Sequence, residues 1–436
     1  MSHLIINGGK KLQGEIVNQS AKNSAVAILC ACCAIRGRTS LVAVPEIEEV
    51  NRIIELIRSI GVKVEMTGKG NLTVDASGDL DLSHIDRSAS EKTRSSLMLM
   101  GALASREKKY KIFKSGGCKL GQRTVKPHIF ALEKFGVEVE SKDGYYEIKN
   151  NLLRPAHLVM YESGDTATEN AIMAAAQTVG ETVIKMASAN YMVQDLCHFL
   201  VRAGARIDGI GTTTLKIHGV EKLTPVENYS IMPDPIVAMT YIAAAIVTRS
   251  HLTITNCPLE FLELELVKLE KMGQKFKLKN NRLSVGGNFE IVDIEILPSD
   301  LVAPPDKIDG RPFPGLNLDN LPLFIPILAM AEGRTLVHDW AYENRAMYSF
   351  DLLKLGARVT VLDPHRVFVE GPSELKAAEI IAPPALRPAV NVLICMLGAK
   401  GQSILRNTYE IDRGYENLYE TLNIAGADIK IVDDNI

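Results

Sequence analysis

The chain has a single tryptophan, Trp340, among 436 residues, and it lacks an excess of either charge. Its 49 basic and 52 acidic side chains leave a formal net charge of −3. No global field therefore draws it to nucleic acid or to an acidic membrane surface, and any anion it binds must be met by local arrangement. Long hydrophobic runs are also missing. The longest, PIVAMTYIAAAIV and LPLFIPILAMA, fall short of the roughly 18 residues a membrane span requires. The opening MSHLIINGGKKLQGEIV holds no apolar run of signal-peptide length. Seven cysteines follow no disulfide-scaffold spacing. Three of them, Cys30, Cys32 and Cys33, crowd into LCACCAI with no histidine nearby, which reads as a core helix and not as a metal site. The expectation is a reduced, cytoplasmic protein with no membrane span and no metal.

What is present is repetition. A chain of this length is too long for one ordinary core, so two large domains are expected. Six segments end alike: LIRSIGVKVEM, LEKFGVEVES, LVRAGARIDG, LEKMGQKFKL, LLKLGARVTV and LNIAGADIKI. Their glycines, Gly61, Gly136, Gly204, Gly273, Gly356 and Gly426, recur about every 70 to 80 residues. Each reads as an amphipathic helix closed by a glycine cap and followed by a half-buried strand. Each unit also carries a second segment apolar all round, such as SAVAILCACCAI, RSSLMLMGALAS, DNLPLFIPILAMA and PAVNVLICMLGA, which must be a buried helix. The pattern predicts a layered α/β protein with sheets outside, helices within, and three units in each of two lobes.

The repeats also align chemistry. Lys22, Arg94, Asp319 and Arg387 fall at equivalent starts of buried helices, and Arg123, Arg345 and Arg413 at equivalent loop-to-helix junctions. Helix starts present unpaired N–H groups and partial positive charge, so cations there make anion sites. If the lobes face each other, these residues converge on an interlobe cleft, a favoured place for ligands. The stretch SGGCKLGQR adds Cys118 between a glycine pair and two basic residues, Lys119 and Arg123, which favour the thiolate. The residues point to an enzyme handling a small phosphate or carboxylate.

The motifs SAKNSAVAIL, GGCKLGQR, YENRAMY and IDRGYE together resemble the enolpyruvyl transferase family, closest to the UDP-N-acetylglucosamine 1-carboxyvinyltransferases of peptidoglycan synthesis. The resemblance implies an inside-out α/β barrel of two lobes, one over 22–230 and the other over 1–21 plus 231–436, with the site between them. It implies transfer of an enolpyruvyl group from phosphoenolpyruvate to a nucleotide-sugar hydroxyl with loss of phosphate, without metal or cofactor. It gives Cys118 the role of proton donor and fosfomycin target. Lys22, Arg123 and Arg413 would bind phosphoenolpyruvate, and Asn23 would position the sugar. Arg94, Arg345 and Arg387 would line the cleft or hold it closed, and Asp319 would face the attacking hydroxyl, unless it only caps the helix it opens.

Some residues depart from the family pattern. FPGLNLD carries a short insertion before Asp319, and ALR places Ala385 where an acid usually holds the arginine, predicting a less constrained Arg387. Lys126 stands where an acid often meets the uridine, and SGDTAT puts Asp165 in a loop that touches the nucleotide. PDPIV lacks the arginine and glutamate usual at the lobe crossing. Two further readings thus stay open here: the same transfer to a different nucleotide or sugar acceptor, and a non-catalytic nucleotide-sugar-binding relative. The retained Cys118, Lys22, Arg123 and Arg413 speak against the second.

Overall fold

The six glycines end six helices: Glu48–Ser59, Lys126–Glu133, Tyr191–Arg202, Glu263–Lys271, Phe350–Lys354 and Leu418–Ile424. All six glycines have φ between 81° and 108°, a left-handed turn that a side chain would strain. At Gly356 a Cβ would also lie 2.8 Å from the Glu374 carbonyl oxygen. After the first five turns the chain runs into an antiparallel hairpin; after Gly426 it enters the single strand Ile429–Asp433. The structure is a computed structural model describing residues 2–114 and 124–433; Cys118 and Arg123 lie outside the described residues.

The strands form six separate sheets, five of four strands and one of three. Each four-stranded sheet joins antiparallel neighbours to one parallel pair; Arg38–Val42, for example, is antiparallel to Asn71–Asp75 and parallel to Tyr229–Ser230. Among the described residues no sheet closes on itself, so the architecture is helices inside separate outer sheets, without a continuous barrel of strands. The start of the chain completes sheets built from its far end. Ser2–Gly8 lies antiparallel between Gly401–Arg406 and Ile429–Asp433, with Leu4 opposite Leu405 and Ile431. Gln13–Val17 runs parallel to His251–Pro258.

The segments apolar all round are the buried ones. Lys22–Cys32, Asp165–Ala176, Pro235–Val247 and Leu386–Gly398 are helices buried along most of their length, with Cys30, Cys32 and Cys33 packed in the core. The other two expected helices are shorter. Arg94–Met98 and Leu321–Leu323 are 3₁₀ turns leading into Leu99–Ala102 and Phe324–Leu328. In the second of these, Pro326 removes an N–H that a regular α-helix begun near Asp319 would use, while Pro322 lies in the first turn, where it is tolerated. The buried side chains make two apolar clusters. All but Phe261 and Phe289 in the first lie between Ala21 and Ile236; the second takes Leu4–Ile16 and Val237–Ile429.

Two chain passages lie side by side between these clusters. Ala21 donates to the Met232 carbonyl at 2.7 Å, Asp234 donates to the Gln19 carbonyl at 2.8 Å, and Ser20 bridges to Pro233. Beneath them Asp195 is wholly buried, accepting from Tyr229 OH at 2.6 Å and Met232 N at 3.2 Å. Burial pushes its carboxyl up from 3.8 to about 6, against those hydrogen bonds. Because the folded pKa lies above the unfolded one, the carboxylate destabilises the fold once it ionises. Its contribution is fully favourable below about pH 4 and is lost between about pH 4 and 6. Relative to Asp195→Asn, the wild type is expected to lose about 3 kcal/mol across that window. Urea unfolding of both proteins at several pH values measures this, and parallel curves would refute it.

Candidate functional site

Asp319 is the centre from which the site can be built. Asn317 opens the turn before it: its side chain accepts from Asp319 N at 2.8 Å and its carbonyl from Asn320 and Leu321 at 3.0 Å. The residue at the cap of the following turn is Asn320, whose side chain makes no capping hydrogen bond, and the Asp319 carboxylate lies towards cations. Arg345 Nη1 lies 3.4 Å from Oδ1, Arg387 Nη2 3.7 Å from Oδ2, and Tyr342 OH 3.4 Å from Oδ1.

Both arginines are buried and held from behind. Arg345 Nε pairs with Asp339, Nη2 donates to the Leu318 carbonyl at 2.5 Å, and the guanidinium stacks 4.0 Å from the Tyr342 ring centroid. Arg387, the second residue of Leu386–Gly398, donates from Nη1 to Tyr415 OH at 2.7 Å, and Tyr415 is tied to Thr240 at 2.8 Å. Burial works against the Arg387 charge, yet Tyr415, Asp319 and Asp234 hold its pKa above the ordinary value. The expectation that Ala385 leaves Arg387 less constrained is therefore corrected. Arg387 is only 8% exposed, and a tyrosine from IDRGYE and Asp319 constrain it where the local acid is missing. Its buried Nε has no hydrogen-bond partner among the described residues.

The first cluster contributes the other wall. Lys22 begins the buried helix Lys22–Cys32; its Nζ meets Glu49 Oε2 at 2.7 Å and its backbone N lies 3.4 Å from Asp234 Oδ2. Asp234 caps the helix Pro235–Val247 through Ile236 N at 2.7 Å. Burial raises its pKa, with Arg387 and the backbone N–H groups opposing. Asn23 donates to Tyr191 OH at 3.0 Å, and burial raises the Tyr191 pKa, helped by Asp234 and Asp319. Arg413 follows the short helix Tyr409–Asp412 and pairs with Glu410 at 2.7 Å.

Lys22, Asn23, Asp319, Arg345, Arg387 and Arg413 thus belong to one connected polar group. Arg94 makes its contact elsewhere, donating to the Thr124 carbonyl at 2.9 Å, where the chain leaves the 115–123 segment. Near it, burial and then the Arg94 charge hold His128 down to about 3. Of the departing residues, Lys126 is exposed at a helix start, while Asp165 accepts from Ser188 Oγ at 2.6 Å and Asn190 Nδ2 at 3.2 Å. The sequence reasoning missed Glu49, Asp234, Tyr191 and Tyr415. Asp234 had a usable signal, an acid before proline at a helix start. Glu49 looked like any acid in the first turn of a helix.

The described residues contain no cluster of three or more side chains suited to a metal ion, and no helix among them is long and apolar enough to cross a membrane. With four cations, several carboxylates and buried phenols, the group is suited to holding an anionic substrate and moving a proton.

Known proteins resemble the chain along nearly its whole length. The profile of EPSP synthase (3-phosphoshikimate 1-carboxyvinyltransferase) matches residues 6–422. A UDP-N-acetylglucosamine 1-carboxyvinyltransferase 2 from Caldanaerobacter subterraneus subsp. tengcongensis is 36% identical over 98% of this chain and 99% of that protein. A UDP-N-acetylglucosamine 1-carboxyvinyltransferase from Bradyrhizobium diazoefficiens is 33% identical over 99% and 98%. Among solved structures, the enolpyruvyl transferase NikO from Streptomyces tendae superposes with a TM-score of 0.85 at 26% identity, covering 99% of each chain. EPSP synthase from Acinetobacter baumannii shares the fold, with a TM-score of 0.76 at 19% identity over 99% and 100%. With a family profile and full-length relatives agreeing, the chain belongs to the EPSP synthase family of enolpyruvyl transferases.

Proposed function

We propose that the chain transfers the enolpyruvyl group of phosphoenolpyruvate to the 3-hydroxyl of UDP-N-acetylglucosamine, releasing phosphate at the entry to peptidoglycan synthesis. One observation supports this above the others: residues of both apolar clusters gather Lys22, Arg413 and Arg387 around Glu49, with Arg387 also beside Asp319, in a chain 36% identical to an enzyme of that name. The lobes are read as 22–230 and 1–21 plus 231–436, with the site between them; the two apolar clusters favour that division. The reaction is assigned to the cytoplasm, in keeping with the six cysteines among the described residues, all free thiols.

The chemistry needs a proton at C3 of the enol as the alcohol oxygen attacks C2. Cys118 gives that proton, and Asp319 takes or orients the hydroxyl proton. The tetrahedral adduct then loses a C3 proton as the C2–O bond to phosphate breaks, leaving an enolpyruvyl ether and inorganic phosphate. Lys22, Arg413 and Arg123 hold the phosphate, and Arg387 offers its unpartnered Nε to the carboxylate. Arg345 and Tyr342 keep Asp319 aimed. Asn23 meets the sugar, and Arg94 braces the base of the Cys118 segment.

Phosphate release from phosphoenolpyruvate, with and without UDP-N-acetylglucosamine, tests the proposal. Acceptor-dependent release and a product heavier by one enolpyruvyl group are expected; no release from folded protein would refute it. Cys118→Ala should abolish turnover. Cys118→Asp should keep activity and resist fosfomycin, and normal sensitivity in that variant would remove Cys118 from the site.

A further inference from the structure

Each described cation of this site already has a carboxylate. Arg345 pairs with Asp339, Arg387 lies beside Asp319, Arg413 pairs with Glu410, and Lys22 pairs with Glu49. Three of these pairs form within the second apolar cluster's part of the chain. The Arg413–Glu410 pair, three residues apart, is an ordinary neighbour contact within one turn.

Glu49 differs. It is the second residue of the helix Glu48–Ser59, packed beside Lys22–Cys32, and its side chain turns back to Lys22 Nζ at 2.7 Å. Both side chains are largely enclosed, 16% and 18% exposed. Burial raises the Glu49 pKa, but Lys22, and beyond it Arg413 and Arg387, hold the carboxyl below its ordinary value. One carboxylate therefore senses three cations drawn from both apolar clusters, the same cations that the proposed function assigns to phosphoenolpyruvate. A helix-start acid that only answered the helix dipole would do so equally well from an exposed position.

We infer that Glu49 is a resident counter-anion of the phosphate subsite, pairing with Lys22 while the subsite is empty and competing with phosphate for it. The inference rests on the proposed function for the identity of the anion. When a phosphate group reaches Lys22 and Arg413, the Lys22–Glu49 pair must open or share Lys22. After the C2–O bond breaks, re-formation of that pair helps expel the product phosphate. Glu49 thus sets how readily the subsite fills and empties, without touching the reacting carbon.

The test is calorimetric binding of inorganic phosphate to the full chain, to Glu49→Gln and to Glu49→Ala, followed by steady-state kinetics. Both variants remove the charge and differ in packing, so either one that folds decides the matter. Competition predicts that the variants bind phosphate about tenfold more tightly than wild type. It also predicts a lower KM for phosphoenolpyruvate, stronger product inhibition by phosphate and a lower kcat. Glu49→Asp, which restores the charge, should return phosphate affinity to within about threefold of wild type. Unchanged or weaker phosphate binding in a folded, charge-free variant would overturn the inference, since a carboxylate that merely positions Lys22 predicts that loss. Phosphate binding is read without turnover. Tighter binding in the variants with no acceptor-dependent phosphate release would sink the proposed reaction and leave the inference standing.

Discussion

Asp319→Ala is expected to lower kcat by about a thousandfold, within the range for removing a positioned acid–base group, while leaving the KM for phosphoenolpyruvate nearly unchanged. The carboxylate is shared by Arg345, Arg387 and Tyr342, so its removal has a second consequence. Two guanidiniums with side chains only 3% and 9% exposed lose a counter-charge. Uncompensated buried charge is costly, typically about 3–5 kcal/mol when one partner of a buried pair is removed. Here Asp339 still pairs with Arg345, and Tyr415 still holds Arg387, so a loss of about 2 kcal/mol is expected, below that range. Asp319→Asn separates the roles: it keeps the shape and an acceptor oxygen but takes no proton. If Asp319 is the base, Asn falls as far as Ala; if it only orients the hydroxyl, Asn retains the larger share of turnover. Activity of the alanine variant within tenfold of wild type would remove Asp319 from the reaction.

Lys22→Ala should be the more damaging of the two phosphate-cation deletions. Loss of a charged contact to a developing oxyanion costs about 3–4 kcal/mol, or 10²- to 10³-fold in rate, and Arg413→Ala is expected near that figure. Lys22→Ala also leaves Glu49 without its partner beside the incoming anion. The coupling can be measured: Lys22→Ala with Glu49→Gln should recover part of what Lys22→Ala alone loses in kcat/KM for phosphoenolpyruvate. Additive losses in the double variant would mean that Glu49 and Lys22 act independently, and wild-type rates in Lys22→Ala would exclude Lys22 from the subsite.

Much of this was legible in the sequence because it is written locally. A glycine cap depends on its own φ and the helix before it, and all six read from the repeats take the left-handed turn. Lys22 and Arg387 stand at helix starts as the repeat alignment placed them, because a helix start is a local event. The partners were not legible. Glu49 reaches Lys22, Tyr415 reaches Arg387 and Asp234 reaches the Lys22 backbone only after the chain has folded across 27, 28 and 212 positions. Neither residue type nor spacing encodes such meetings. The misjudged freedom of Arg387 has the same origin: Ala385 is visible in the sequence, whereas the phenol and the distant carboxylate that replace the lost acid are not. The 3₁₀ starts of two buried segments were hidden by composition, which reports burial better than helix type.

The placement of the first strand bears on how the protein is made. Nearly all of the first apolar cluster lies between Ala21 and Ile236, so it can close while the ribosome is still adding the second half of the chain. Leu4 and Ile6 emerge well before Gly401–Arg406 and Ile429–Asp433 and must wait for them. Throughout synthesis Ser2–Gly8 is a bare strand on a growing chain, open to pairing with other nascent copies. A chain cut short near residue 230 would carry a folded body and two orphan strands, Ser2–Gly8 and Gln13–Val17, and is expected to aggregate through them.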